Sequence, residues 1–254
     1  MMTASTYPIS GNSGTTNESR GLRRAAIVLL IIEFFLMFPP LIILGAAINW
    51  PTSLDEPASV NLPLVLEQYV AVMAGYGIYL VYSLLFWPVA YLTGRVITGG
   101  DTENALFRLA SGFAALSALA RALGIVRWLF AMPVLAQLYT APTATPELKA
   151  SISVTYEMLN AYAGGTGELL GVSLLAAIWL VLISILIIQK ANWPDWLGYF
   201  GFVAAISLFL NLLEVIGIDV GPMATISVAL VQFWMLAAAI VFFRRRNVIR
   251  YAHD

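Results

Sequence analysis

A chain of 254 residues that is 60% hydrophobic and 11% charged, with a mean hydropathy of +0.85, lies far from a soluble domain, where apolar residues run at roughly 45–50% and charged ones near 25%. A formal net charge of −1, from 13 basic and 14 acidic residues, removes the basic face that nucleic-acid binding requires. With no cysteine, and with the one histidine, His253, in the C-terminal tail, the spans have no disulfide, thiolate or histidine metal site, histidine-held haem or serine–histidine triad. No cofactor is expected.

A helix rising about 1.5 Å per residue crosses a hydrocarbon core near 30 Å in about 20 residues. The expected fold is therefore an all-α, polytopic transmembrane bundle of six spans with both termini cytoplasmic. A polar tail over 1–24 leads into a membrane domain over 25–246, and 247–254 form a second tail.

Taken in chain order, Arg20, Arg23 and Arg24 abut an apolar run over 25–48 that exceeds the 7–15 residues of a signal-peptide core, so the first span is uncleaved. Pro39-Pro40 should bend it. Glu33, in its inner half, has no basic residue at its own depth and is expected to be a neutral, hydrogen-bonded acid, with proton carriage as the other use. A connection over 49–68 with three prolines leads to the second span, 69–92, where Trp87-Pro88 should kink the helix and Tyr69, Tyr76, Tyr79 and Ser83 form a polar stripe. Gly99-Gly100-Asp101 makes the turn into the third span, 106–138, which carries Arg121 and Arg127.

Residues 151–165 form either an amphipathic interfacial helix or an extension of the fourth span, 169–188. Gly164, Gly165, Gly167 and Gly171 head that span, and the spacing of the last two lets helix backbones approach closely. Tight connections at 190–195 and 217–221 bound the fifth span, 197–216, and the sixth, 223–243, ends on Arg244, Arg245 and Arg246 as a stop-transfer anchor. Trp50, Trp193 and Trp196 fall at span ends, where an indole bridges lipid and water.

Orientation follows from the basic residues. With both ends inside, the cytoplasmic side collects Arg20, Arg23, Arg24, Arg95, Arg108, Lys190, Arg244, Arg245, Arg246 and Arg250, and the outer side keeps only Lys149.

Charges within a bilayer are costly and usually face a cavity or a partner. By helical rise, Arg121 lies roughly 22 Å and Arg127 roughly 31 Å from the inner end of the third span, and Asn211 and Glu214 roughly 21 and 25 Å along the fifth. Glu168 is at the outer mouth of the fourth span, and Gln232 lies roughly 13 Å below the outer end of the sixth. Ser207, Asn211 and Glu214 line one face, as do Thr225 and Gln232. The expected ligand-binding residues are Arg121, Arg127, Glu168, Asn211, Glu214 and Gln232, an outward-facing polar pocket in which the arginines meet Glu214, Glu168 and Glu67 or Glu157. A set of salt bridges that only hold the bundle together is the competing reading.

Three segments carry a resemblance: Ala120-Arg121, the run Asn192-Trp193-Pro194-Asp195-Trp196-Leu197-Gly198, and the run Ala229-Leu230-Val231-Gln232-Phe233-Trp234-Met235 before the basic stop. In these the chain resembles a bacterial multi-pass membrane family known as domain of unknown function 4386, over most of 25–246. That resemblance implies a six- or seven-span bundle without an assigned activity. Members often carry an acid three residues after the arginine and another near the position of Gln232; here Gly124 and Gln232 stand there.

The first functional reading is binding or transport of a small polar or anionic ligand in the bacterial plasma membrane, because paired arginines suit an anion. The second is an accessory subunit of a larger membrane complex, with another membrane protein as partner. An enzyme comes third, since no nucleophile and base pair is present and no catalytic residue is assigned. A retinal photoreceptor is disfavoured because Lys149 and Lys190 lie outside the span centres.

Overall fold

The computed structural model describes residues 13–248, all of whose regular structure is helical. The helices are α1 (Ser13–Leu36), α2 (Phe38–Ile48), α3 (Ala58–Glu67), α4 (Tyr69–Ile97), α5 (Ala105–Leu129), α6 (Ala131–Thr140), α7 (Pro146–Gly164), α8 (Ala176–Gln189), α9 (Asp195–Leu210) and α10 (Met223–Val248). A π-helical segment, Gly165–Leu175, joins α7 to α8, and a 3-10 segment, Asn211–Ile216, ends α9. Residues 1–12 and 249–254, the outer parts of the two expected tails, lie outside the described residues.

Six helical stretches are long and apolar enough to cross a membrane: Ser19–Ile48, Tyr69–Ile97, Ala105–Thr140, Pro146–Gln189, Asp195–Ile216 and Met223–Arg245. Each packs along its neighbour in sequence, and α10 returns to pack on α1, so the six spans close into a ring. Antiparallel neighbours with short connections give this order directly.

Local chemistry sets the ends and bends. The first span breaks at Met37, where Pro39 and Pro40 enter the first turn of α2, positions in which a missing N–H costs nothing. Asn49, with φ of 56°, closes α2: its N–H donates to the Gly45 carbonyl at 3.1 Å, and the next N–H, of Trp50, donates to the Leu44 carbonyl at 3.3 Å. The Asn104 side chain caps α5 by accepting from Phe107 N–H at 3.1 Å, and Thr145 does the same for α7 from Leu148 N–H at 3.3 Å, with Pro146 following. Gly99 and Gly100, at φ of 70° and 93°, make the turn between α4 and α5.

One expectation needs correction, and one open alternative is decided. The 49–68 connection contains α3, whose helical pattern is hidden in sequence by Pro57 just before it and Pro63 within it. Of the two readings open for residues 151–165, the structure has the extension of the fourth span: α7, the π segment and α8 form one helix of 44 residues, about 66 Å long, twice the hydrocarbon thickness. Its first part therefore rises beyond the bilayer and joins α2, α3, α5 and α6 around a second core that includes Leu62, Tyr76, Trp128, Met132 and Tyr156. Polar groups tie this cap together. Asn61 Nδ2 donates to Tyr156 Oη at 2.6 Å and to the Ser53 carbonyl, and Asn160 Nδ2 donates to Leu54 O at 2.8 Å.

In lipid, helices associate through close packing rather than water exclusion, so small residues matter most where backbones cross. A Cβ added at Gly124 would lie 2.8 Å from Gly167 Cα and 2.9 Å from Ala163 O, so spans three and four cross with glycine against glycine. The π segment frees backbone groups at this crossing, and Ser117 Oγ donates to Gly171 O at 2.7 Å.

Six spans put both ends on one side of the membrane, and the expectation from the basic residues that this side is the cytoplasm is open to a direct test. Because the chain lacks native cysteine, single cysteines at Ser13, Ser59, Thr145 and His253 report sidedness cleanly. An impermeant maleimide on intact cells should label only the Ser59 and Thr145 sites. Labelling at Ser13 would reverse the orientation.

Candidate functional site

Arg121, Arg127, Gln232 and Glu33 are 7, 7, 8 and 0% exposed, which in a membrane protein singles them out. Among the described residues the ion pair within 4 Å is Arg108 with Glu103, on the surface, so neither buried arginine is neutralised by a carboxylate in contact. Such uncompensated burial is the costliest arrangement for a charge.

Arg121 is held by three spans. The α5 backbone at Arg121 is approached closely by Gly171, whose added Cβ would sit 3.0 Å from Arg121 N and 3.1 Å from its Cγ. The guanidinium lies over the Phe86 ring of α4, 4.3 Å from the centroid, a contact between a cation and a ring face that a dry site strengthens. Phe86 in turn meets Trp179 edge to face at 5.0 Å, and Trp179 meets Trp234 at 5.6 Å, which fixes the ring beneath the charge. Arg121 makes no hydrogen bond with another described residue.

Two adjoining cavities share Arg121, Tyr79 and Val172. The outer one lies under the cap and is also lined by Trp50, Arg127, Gly167 and Glu168. The axial one takes a wall residue from every span: Met37, Tyr82, Arg121, Val172, Leu208 and Gln232. Their cavity volumes are about 40 and about 20 Å³, against roughly 10–15 Å³ for one water. That is room for a few waters or a small anion, not for a bulky organic molecule.

Arg127 has a structural anchor. Its Nη1 donates to the Asn160 carbonyl of α7 at 3.1 Å, its guanidinium lies 5.6 Å from the Trp128 ring, and Trp128 stacks on Tyr76 at 4.9 Å. Gly164 leaves the space for it, since an added Cβ there would meet Nη1 at 3.1 Å. The expected contact with Glu214 is not made. Glu214 is exposed, as is the chain from there to Asp219, because the end of the fifth span projects past its neighbours. Sharing a depth and a face is not enough where no helix covers the face.

The structure thus gathers Arg121, Arg127 and Glu168 in the outer cavity and joins Gln232 to Arg121 in the axial one. Glu168 lies at the rim with an exposed side chain. Asn211 turns aside to donate to Ser227 Oγ at 3.0 Å, a bond between spans five and six. Glu67 and Glu157 line neither cavity.

Glu33 also departs from expectation. It is buried as foreseen, but neither carboxyl oxygen has a hydrogen-bond partner, and it lies within electrostatic range of Arg121 and Tyr82. Depth counting by Cα placed Arg121 too far away. A helical side chain leans toward its own N-terminus, here the end shared with the start of the first span, and arginine is long enough to cover the difference. Tyr82, which accepts from Gln232 Nε2, was missed by the stripe through Tyr76, Tyr79 and Ser83. Its three-residue step from Tyr79 was the available signal.

The segments that carry the family resemblance hold the bundle together. Trp193 Nε1 donates to Ile97 O at 3.0 Å, Trp234 Nε1 donates to Leu197 O at 2.9 Å, and an added Cβ at Gly198 would meet Ser184 O at 3.0 Å. The fifth-span and sixth-span motifs therefore meet each other through Trp234 and Leu197. No curated protein and no solved structure matches the chain. The model of the family described as Domain of unknown function (DUF4386) matches residues 25–243, nearly the whole six-span ring, and the chain belongs to that family.

Proposed function

We propose that this integral membrane protein binds a small anion at Arg121, as a binding or transport protein of the bacterial plasma membrane. The observation that carries the reading is Arg121 itself: a buried cation without a carboxylate in contact, lining both an outer cavity and one walled by all six spans. Arg127 adds positive charge to the outer cavity, whose wall also includes Glu168. Guanidinium groups recognise carboxylate and oxyanions through paired N–H donors, and the limited space favours ions with few heavy atoms.

The test is thermal unfolding of the purified chain in detergent against chloride, nitrate, formate, acetate and phosphate. A ligand present at 100 times its Kd stabilises by about 2.7 kcal/mol. At least one anion should raise the midpoint in a saturable way, and Arg121→Gln should abolish the rise. Equal response in wild type and variant would sink the proposal.

One observation favours the accessory-subunit reading. Val154, Met158 and Tyr162 form an exposed apolar row on α7, and Val154 lies about 52 Å along the helix from Gln189, well beyond the hydrocarbon. A stoichiometric companion copurifying in mild detergent, and lost in Met158→Glu, would support it.

A further inference from the structure

Glu33 is the buried ionisable group that anion binding leaves unused. It sits on α1 one turn before Met37, which lines the axial cavity, and a neighbouring side chain, Phe34, packs on Phe233 of α10 at 6.3 Å. The titratable groups within electrostatic range of it are Arg121 of α5 and Tyr82 of α4, and Gln232 of α10 is bonded to Tyr82. Its two carboxyl oxygens have no hydrogen-bond partner, and Arg121 is the cation within range. An ionised Glu33 therefore depends on the free charge of Arg121.

We propose that Glu33 is a proton-binding site coupled to occupancy of the Arg121 cavity, so that the protein takes up one proton with each small anion it binds. This rests on the anion reading above. An anion on Arg121 cancels the charge that offsets an ionised Glu33, and a carboxylate left alone in a dry interior takes a proton instead. Coupling is reciprocal: a protonated Glu33 leaves Arg121 free to attract the anion. Nothing is oxidised or reduced. One proton moves from solvent to a carboxylate oxygen, and the net charge of the complex does not change when a monovalent anion binds with it.

The sign is fixed by this scheme. Since binding consumes a proton, anion affinity falls as pH rises, by up to about tenfold per pH unit for one proton. Glu33→Gln imitates the protonated state, so its affinity should be independent of pH and should match the acidic wild-type value even under alkaline conditions.

The experiment is isothermal titration of the full chain in nanodiscs with whichever of the five anions gives the thermal response, from mildly acidic to mildly alkaline pH and in buffers of different ionisation enthalpy. Wild type should show a buffer-dependent heat corresponding to one proton taken up, Glu33→Gln none, and Glu67→Gln, an exposed acid that lines neither cavity, the same uptake as wild type. A pH-independent affinity in wild type, or uptake that survives Glu33→Gln, would overturn the coupling and leave the anion site standing. No response to any anion would overturn both. Should Glu33→Gln fail to fold, infrared difference spectra of the wild type with and without anion replace it. A protonated carboxyl band should then appear on binding, and its absence counts against the proposal.

Discussion

Gly124→Ala is expected to destabilise the bundle by about 1–3 kcal/mol, although alanine is intrinsically the better helix former by about 1 kcal/mol. The reason is what the new methyl meets. Gly167 Cα at 2.8 Å and Ala163 O at 2.9 Å are backbone atoms of the π-helical crossing and its approach, so no side chain can swing away. Spans three and four must separate, which disturbs the Ser117 to Gly171 bond and the seat of Arg121. Gly124→Glu, with a longer and charged side chain at the same crossing, should yield no folded protein. The matched control is Gly112→Ala on the same helix, where nothing lies within 4 Å; it should be neutral or stabilising by up to about 1 kcal/mol. Unfolding free energies from denaturant titration in mixed micelles would check the series. A Gly124→Ala protein as stable as Gly112→Ala would mean that the crossing is looser than described.

Arg127→Met should cost about 1–3 kcal/mol, because it strands the Asn160 carbonyl and removes the guanidinium from Trp128 and the Gly164 notch. Glu214→Gln should change stability by less than about 0.5 kcal/mol, as expected for an exposed group outside any contact pair. The double variant should then equal the sum of the singles to within about 0.5 kcal/mol. Had the two groups formed a buried ion pair, each single change would strand the other charge and the double variant would recover part of the loss. A double-mutant cycle therefore separates a backbone anchor from an ion pair.

Hydropathy alone determined the fold class and the six spans, because a bilayer demands a full run of apolar residues at each crossing and punishes every charge within it. It also determined which polar side chains were exceptional: Arg121, Arg127, Glu33 and Gln232 stood out in sequence and are buried in the structure. The bend at Pro39-Pro40 and the close approach at Gly167 and Gly171 were legible for the same reason, since each is a property of a few consecutive residues on one helix. The cap was not. Prolines around α3 masked its pattern, and the length of the fourth helix depends on packing partners that lie about 100 residues away, such as Glu56 for Tyr156. Only the tertiary structure decided which exceptional groups meet. Axial rise gives the depth of a Cα, but contact depends on which faces other helices cover and on how far a long side chain leans. Arg121 accordingly came within range of Glu33, Arg127 turned to a backbone carbonyl, and Glu214, at a matching depth, was left outside the ring.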